Sequence, residues 1–199
     1  GGITCNAQGM ARWMSALLAG GEGVLAPRQI AELWTGITKM SVSARERERD
    51  KTTHRAYALG WRIADMHGFE TVSHTGTLLG FQSQVVLVPA KGLGITVLTN
   101  GTNTRARSAV MQALLASWLA PDVSPRDWIV EYTAPVAAPA AAPLTASSAS
   151  PVSAPRANPS TAPLAATFRR PRLLSFLVSS SSCAAAVPRV NTQTRMIND

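Results

Sequence analysis

The sequence predicts an α+β fold, an antiparallel sheet flanked by helices, followed by a disordered tail. Three observations predict it. Two amphipathic helical segments open the chain, short apolar strands joined by tight turns run from Tyr57 onward, and a closing helix stops before Pro121.

Asn6 is placed as an N-cap, and Met10, Trp13, Met14, Leu17 and Leu18 follow the i, i+3, i+4, i+7, i+8 rhythm of a helix with one apolar stripe. Gly20-Gly21 ends that helix. Pro27 suits the first position of a second, short helix in which Ile30, Leu33 and Trp34 share a face. The stretch Arg45 to Lys51 alternates in sign and sums to about +1, which suits a solvated loop or helix face with weak ion pairs. From Tyr57 the rhythm changes. Tyr57 to Ala64 reads as one strand, His67-Gly68 as a turn, and Glu70 to His74 as a second strand. Gln82 to Val88 and Leu93 to Thr99 form the clearest pair, an antiparallel hairpin across Pro89-Ala90-Lys91-Gly92. The unbroken run Val85 to Val88 implies a strand covered on both faces. A last helix spans about Thr104 to Leu119. Four strands leave two sheet edges, so this inventory is short of a complete domain.

A boundary falls after Thr133. In a 199-residue chain that is 46% hydrophobic and 15% charged, residues 1–133 can build a core. The last 66 residues cannot, because 35 of them are Ala, Ser or Pro, and small side chains offer too little area to offset the entropy of ordering. Residues 134–199 therefore read as a basic, Ala/Pro/Ser-rich tail, largely disordered. The tail holds six Arg against Asp199 alone, which supplies most of the net charge of +8. Only Arg169, Arg170 and Arg172 cluster, with Phe168 and Phe176 the only aromatics, so no nucleic-acid partner is expected. Leu173 to Val178 is too short to span a membrane. Two cysteines, Cys5 and Cys183, exclude a disulfide framework and a four-thiolate zinc site. His54, His67 and His74 lack the helical i, i+4 spacing of a metal pair, so no metal and no cofactor are expected.

The residues that point to chemistry are His74-Thr75-Gly76 at a strand end, running into Thr77 and Gly80-Phe81. Taken with Leu59-Gly60-Trp61, Val86 to Pro89, Leu93 to Asn100 and the opening Gly1-Gly2-Ile3 with Met10 to Trp13, they form a set. That set resembles the C-terminal part of the serine β-lactamase and penicillin-binding protein family. The nearest branch is that of the class C β-lactamases with their D-alanyl-D-alanine carboxypeptidase and esterase relatives. The resemblance covers residues 1–133 and implies the C-terminal portion of a β-lactamase-like fold.

It also implies roles. His74 stands where the family places a donor, cationic when protonated, toward a substrate carboxylate and the general-base network. Thr75 would offer its hydroxyl to the same carboxylate, and Gly76 would clear room for a substrate along the strand. Thr77 matches the position whose N–H is one of two oxyanion donors. The family's Ser-x-x-Lys is missing, since Gly36, Glu48 and Val88 stand three places before the only lysines, Lys39, Lys51 and Lys91. Tyr-x-Asn is missing too, because Leu59 and Ala134 follow Tyr57 and Tyr132 at that spacing. The expectation is a truncated serine hydrolase segment, inactive alone, whose small-molecule substrate is a β-lactam, a D-alanyl-D-alanine peptide or a small ester. The alternative is a non-catalytic remnant that binds a ligand or partner. Resemblance also implies a periplasmic or secreted location, and Pro125 to Trp128 is read as the start of an accessory domain.

Overall fold

The computed structural model describes residues 3–123, 126–133 and 172–178; for the last group the backbone alone is considered. Helix α1 (Ala7–Leu18) begins where Asn6 Oδ1 accepts from Gly9 N–H at 2.8 Å, and it buries Met14 and Leu17. Gly20 and Gly21 then turn the chain with φ of 76° and 90°. A second helix, α2 (Pro27–Leu33), has Pro27 at its first turn and buries Ile30. Both follow the sequence expectation.

The charged stretch follows it in forming a helix but departs from it at one end, which is not solvated. Residues Ala44–Arg49 form helix α3, closed at its start by a reciprocal cap in which Ser43 Oγ accepts from Glu46 N–H and Glu46 Oε2 accepts from Ser43 N–H. Its far end is buried. Arg49 grips Asp50 through Nε and Nη2 at 2.7 and 2.6 Å, and the guanidinium lies 4.7 Å from the Tyr132 ring centre. Desolvating two charges is tolerable here because the fork satisfies both carboxylate oxygens. Glu46 also accepts from Arg55 at 2.6 Å.

Seven strands make one sheet in chain order: β1 (Thr38–Met40), β2 (Arg55–Tyr57), β3 (Arg62–Met66), β4 (Phe69–Leu78), β5 (Phe81–Val88), β6 (Leu93–Thr99) and β7 (Arg172–Val178). The first six pair antiparallel, whereas β7 runs parallel to β6. The fold is α+β, as the sequence predicts, with three differences in detail. Tyr57 to Ala64 is a hairpin and not one strand, because Gly60 takes φ 78° and Ala58 N–H donates to Trp61 O at 2.7 Å. Strand β4 runs through the His-Thr-Gly motif instead of stopping at it. Residues 172–178, expected within the disordered tail, form a strand: they are the tail's densest apolar run and meet the edge of β6. The rest of the tail lies outside the described residues.

Both sheet faces are covered. Val85 and Leu87 of β5 join Ile63, Val72, Trp61, Met14, Leu17 and Ile30 in a core beneath α1 and α2. Val86 and Val88 join Leu93, Ile95, Val97, Met111, Leu115 and Leu119 in a second core beneath α4 (Thr104–Leu119). This split follows from the period of two along β5. Helix α5 (Trp128–Thr133) packs against α4, its first turn capped by Asp127 Oδ1, which accepts from Ile129 and Val130 N–H at 2.9 and 3.1 Å. Residues 126–133 therefore return to the domain in place of starting a new one; Pro125 lies outside the described residues. Among the described residues no helix is long and apolar enough to cross a membrane.

Candidate functional site

Strand β4 carries all four predicted site residues, held against β5 in the register His74↔Val85, Thr75↔Gln84, Gly76↔Ser83 and Thr77↔Gln82. Strand β3 accompanies β4 only as far as Arg62↔Ser73. Beyond that point β4 has no strand on its β3 side among the described residues. Alternate N–H and C=O groups of residues 74–78 thus face an open edge able to pair with an extended ligand.

The pleat sends the side chains to opposite faces. His74 is half-buried on the α1 face, where it lines a cleft of about 560 Å³ with Cys5, Met10, Trp13, Trp61 and Val85. Trp13 and Trp61 stack there with ring centres 5.4 Å apart. Burial first, and then the positive charge of Arg62, hold the His74 imidazole below its ordinary range. Around pH 7 the ring is therefore mostly neutral, a weaker version of the cationic donor that the sequence reading assigns. Thr75 lies on the α4 face, where its Oγ1 accepts from Arg62 Nη1 at 3.0 Å. One ligand reaches both His74 and Thr75 only across the open strand edge.

Gly76 has a local reason to be glycine. A Cβ at this position would stand 2.5 Å from Ser83 Oγ, well inside contact distance. Its carbonyl lies 3.5 Å from Arg107 Nη1, which also sits 3.4 Å from Ser83 O. Arg107 projects from α4, is 8% exposed, and makes no ion pair among the described residues. Burial and the charge of Arg62 hold its guanidinium below the usual range. Thr77 is exposed on the open stretch of β4.

Arg62, Ser83 and Arg107 were missed by the sequence reading. One signal was available for Arg107, which precedes Met111, Leu115 and Leu119 at steps of four and so interrupts the apolar stripe of α4 with a charge. Arg62 and Ser83 meet the motif only through strand register. The three histidines stay apart: His54 pairs with Asp65 at 3.3 Å, His67 sits in the β3–β4 turn, and His74 lies on β4. Among the described residues no group of three or more His, Cys, Asp or Glu could hold a metal ion. Chemically, the arrangement offers a hydroxyl, edge N–H groups, a neutral imidazole and two guanidiniums, a set suited to receiving an anionic or polarised oxygen.

A family model described as Beta-lactamase matches residues 1–117. Among curated proteins, the Unguisins hydrolase ungD' of Aspergillus campestris (strain IBT 28561) is 29% identical over 133 residues, covering 64% of this chain and 24% of the relative. The Unguisins hydrolase ungD of Aspergillus violaceofuscus (strain CBS 115571) is 32% identical over 88 residues, 43% of this chain and 16% of the relative. The matched stretch thus spans about a quarter or less of these curated relatives. No solved structure matches.

Proposed function

The chain belongs to the beta-lactamase family, and from that premise we propose that β4 is the substrate-facing strand of a serine hydrolase working through an acyl-enzyme. The observation that carries the reading is the edge of β4 at His74, Thr75, Gly76 and Thr77, which among the described residues has no strand on its β3 side and lies beside two cationic side chains. In this reading Thr75 Oγ1 donates to a substrate carboxylate. The N–H of Thr77 helps hold the carbonyl oxygen as it becomes an oxyanion, and His74 supplies a further hydrogen bond on the α1 face. The relatives' name, Unguisins hydrolase, supports hydrolysis as the outcome. A β-lactam, a D-alanyl-D-alanine peptide or a small ester is the proposed small-molecule substrate, with the work done outside the cytoplasm.

Covalent chemistry needs a nucleophile within reach of a base, and neither Ser-x-x-Lys nor Tyr-x-Asn occurs in the 199 residues. We therefore assign the nucleophile to polypeptide outside this sequence and expect no acylation by this chain alone. The same absence favours a second reading, a family remnant that binds its ligand without turnover. Incubating the chain with a fluorescent penicillin and weighing it intact tests the assignment. The expected result is unmodified mass, and a serine-linked adduct on this chain would falsify it.

A further inference from the structure

We propose that the cavity bounded by the end of α3, the β3–β4 turn, the C-terminal half of α4 and the start of α5 is a ligand site separate from β4, one that takes a single aromatic ring bearing a carboxylate. The cavity holds about 260 Å³ and shares no lining residue with the His74 cleft. Nothing in it depends on the role of β4. Its apolar wall comes from α4. Met111, Leu115 and Leu119 of that helix belong to the core against the sheet, whereas Ala116 and Ala120, the next positions around the helix from Leu115 and Leu119, line the cavity with no more than a methyl group each. Trp128 at the start of α5 adds an indole to the lining. Small side chains and an aromatic face leave flat apolar space, the shape that a ring fills.

The polar groups that reach the cavity are nitrogen donors from three separate segments. Arg49, about nine-tenths buried, gives Nε and Nη2 to Asp50, and its Nη1 has no hydrogen-bond partner among the described residues. Arg126 meets Glu131 only at 3.5 Å. His67 is half-buried and holds φ 50° in its turn, a strain that asparagine would bear more easily. Residues kept in such sparse backbone regions cluster at ligand sites. No carboxylate lines the cavity. The nearby acids are engaged or point elsewhere: Asp50 is held by Arg49, Asp127 caps α5, Glu131 lies between Arg45 and Arg126, and Asp122 is exposed outside the lining. The carbonyls of Ala116 and Ala120 already accept from Ala120 and Val123 N–H at 2.9 and 3.1 Å. A ligand carboxylate is the acceptor that these donors lack. Burial above all, with Lys51 and Arg126 working against Asp50, holds the His67 imidazole below its ordinary range. A bound anion favours the imidazolium, so binding strengthens as pH falls through the imidazole range.

The test titrates sodium benzoate into the ¹⁵N-labelled chain, with benzamide as the neutral control and acetate as the control without a ring. Benzoate should shift the amides of His67, Ala116 and Ala120 and the indole N–H of Trp128, and neither control should match it at equal concentration. Lowering the pH from roughly 7.5 to 5.5 should tighten benzoate about twofold or more. Arg126→Gln should weaken it about threefold or more, and Ala116→Leu, which fills the space, about tenfold. Arg126 is exposed, so its replacement leaves the packing intact and decides the matter even if Ala116→Leu disturbs α4. Benzamide binding as tightly as benzoate overturns the assignment of an anion. Shifts confined to residues 74–77 overturn the separate site while supporting β4 as a ligand wall. No response at His67, Ala116, Ala120 or Trp128 overturns the inference outright.

Discussion

Gly76 shows how a single missing side chain holds the site together. Its backbone is extended, with no positive φ, so the case for glycine is space and not conformation. The Cβ of an alanine would meet Ser83 Oγ at 2.5 Å but Ser83 Cβ at 3.9 Å, an ordinary contact. Only the hydroxyl is in the way. Gly76→Ala should therefore destabilise by about 1–2 kcal/mol, through a forced Ser83 rotamer or a local spreading of β4 from β5. Removing the hydroxyl opens the space, so Gly76→Ala with Ser83→Ala should recover most of the loss. A double-mutant cycle by urea denaturation then gives a coupling of about 1 kcal/mol. Additive effects would mean that Gly76 is kept for another reason, such as the approach of a ligand backbone. The triplet itself was visible in the sequence; its dependence on Ser83 was not, because six residues separate Gly76 from Ser83 along the chain and only the β4–β5 register brings them together.

At the scale of elements, two tight turns set the register that the site needs. His67-Gly68 joins β3 to β4 with φ of 50° and 82°, and Leu79-Gly80 joins β4 to β5 with φ of 38° and 86°. Two successive positive φ values match the twist of the flanking strands, but they suit Asn or Asp followed by Gly. Leu79 is a poor choice, since an ordinary side chain in this region is strained, and it is 92% exposed with nothing to gain from burial. Leu79→Asn should stabilise the domain by about 0.5–1 kcal/mol, read as a rise of several degrees in melting temperature. A fall would mean that Leu79 makes a contact in solution that offsets its strain. The elements legible in the sequence were those with caps and periodicity: α1 under Asn6, α2 under Pro27, α4 with its apolar stripe, and the β5–β6 hairpin. The β2–β3 turn was hidden because Ala58, Leu59 and Trp61 continue the apolar run on either side of Gly60. Strand β1 has three residues and no apolar alternation. The burial of Arg49 and Asp50 at the end of α3 depends on partners as distant as Tyr132, which no local window contains.

On the scale of the whole molecule, β5 is the shared wall between two cores and β6 continues that wall with an all-apolar face of Leu93, Ile95 and Val97 on α4. Thr96 and Val97 are fully buried, so β6 has the burial of an interior strand. It is interior only because β7 pairs along its whole length, from Leu93↔Arg172 to Thr99↔Val178. A seven-residue apolar strand left as an edge would present a row of free N–H and C=O groups, the usual template for pairing with another chain. A chain ending at Thr133 keeps β1–β6 and the core side chains identified among the described residues, and it should still fold. Its β6 amides should divide, those directed at β5 staying protected from hydrogen exchange and the alternate ones exchanging much faster than in the 199-residue chain. Sedimentation should show the shortened chain associating as its concentration rises. Equal protection along β6 in both chains would mean that the β6–β7 ladder does not persist in solution, and that the sheet ends at β6 with some other defence of its edge.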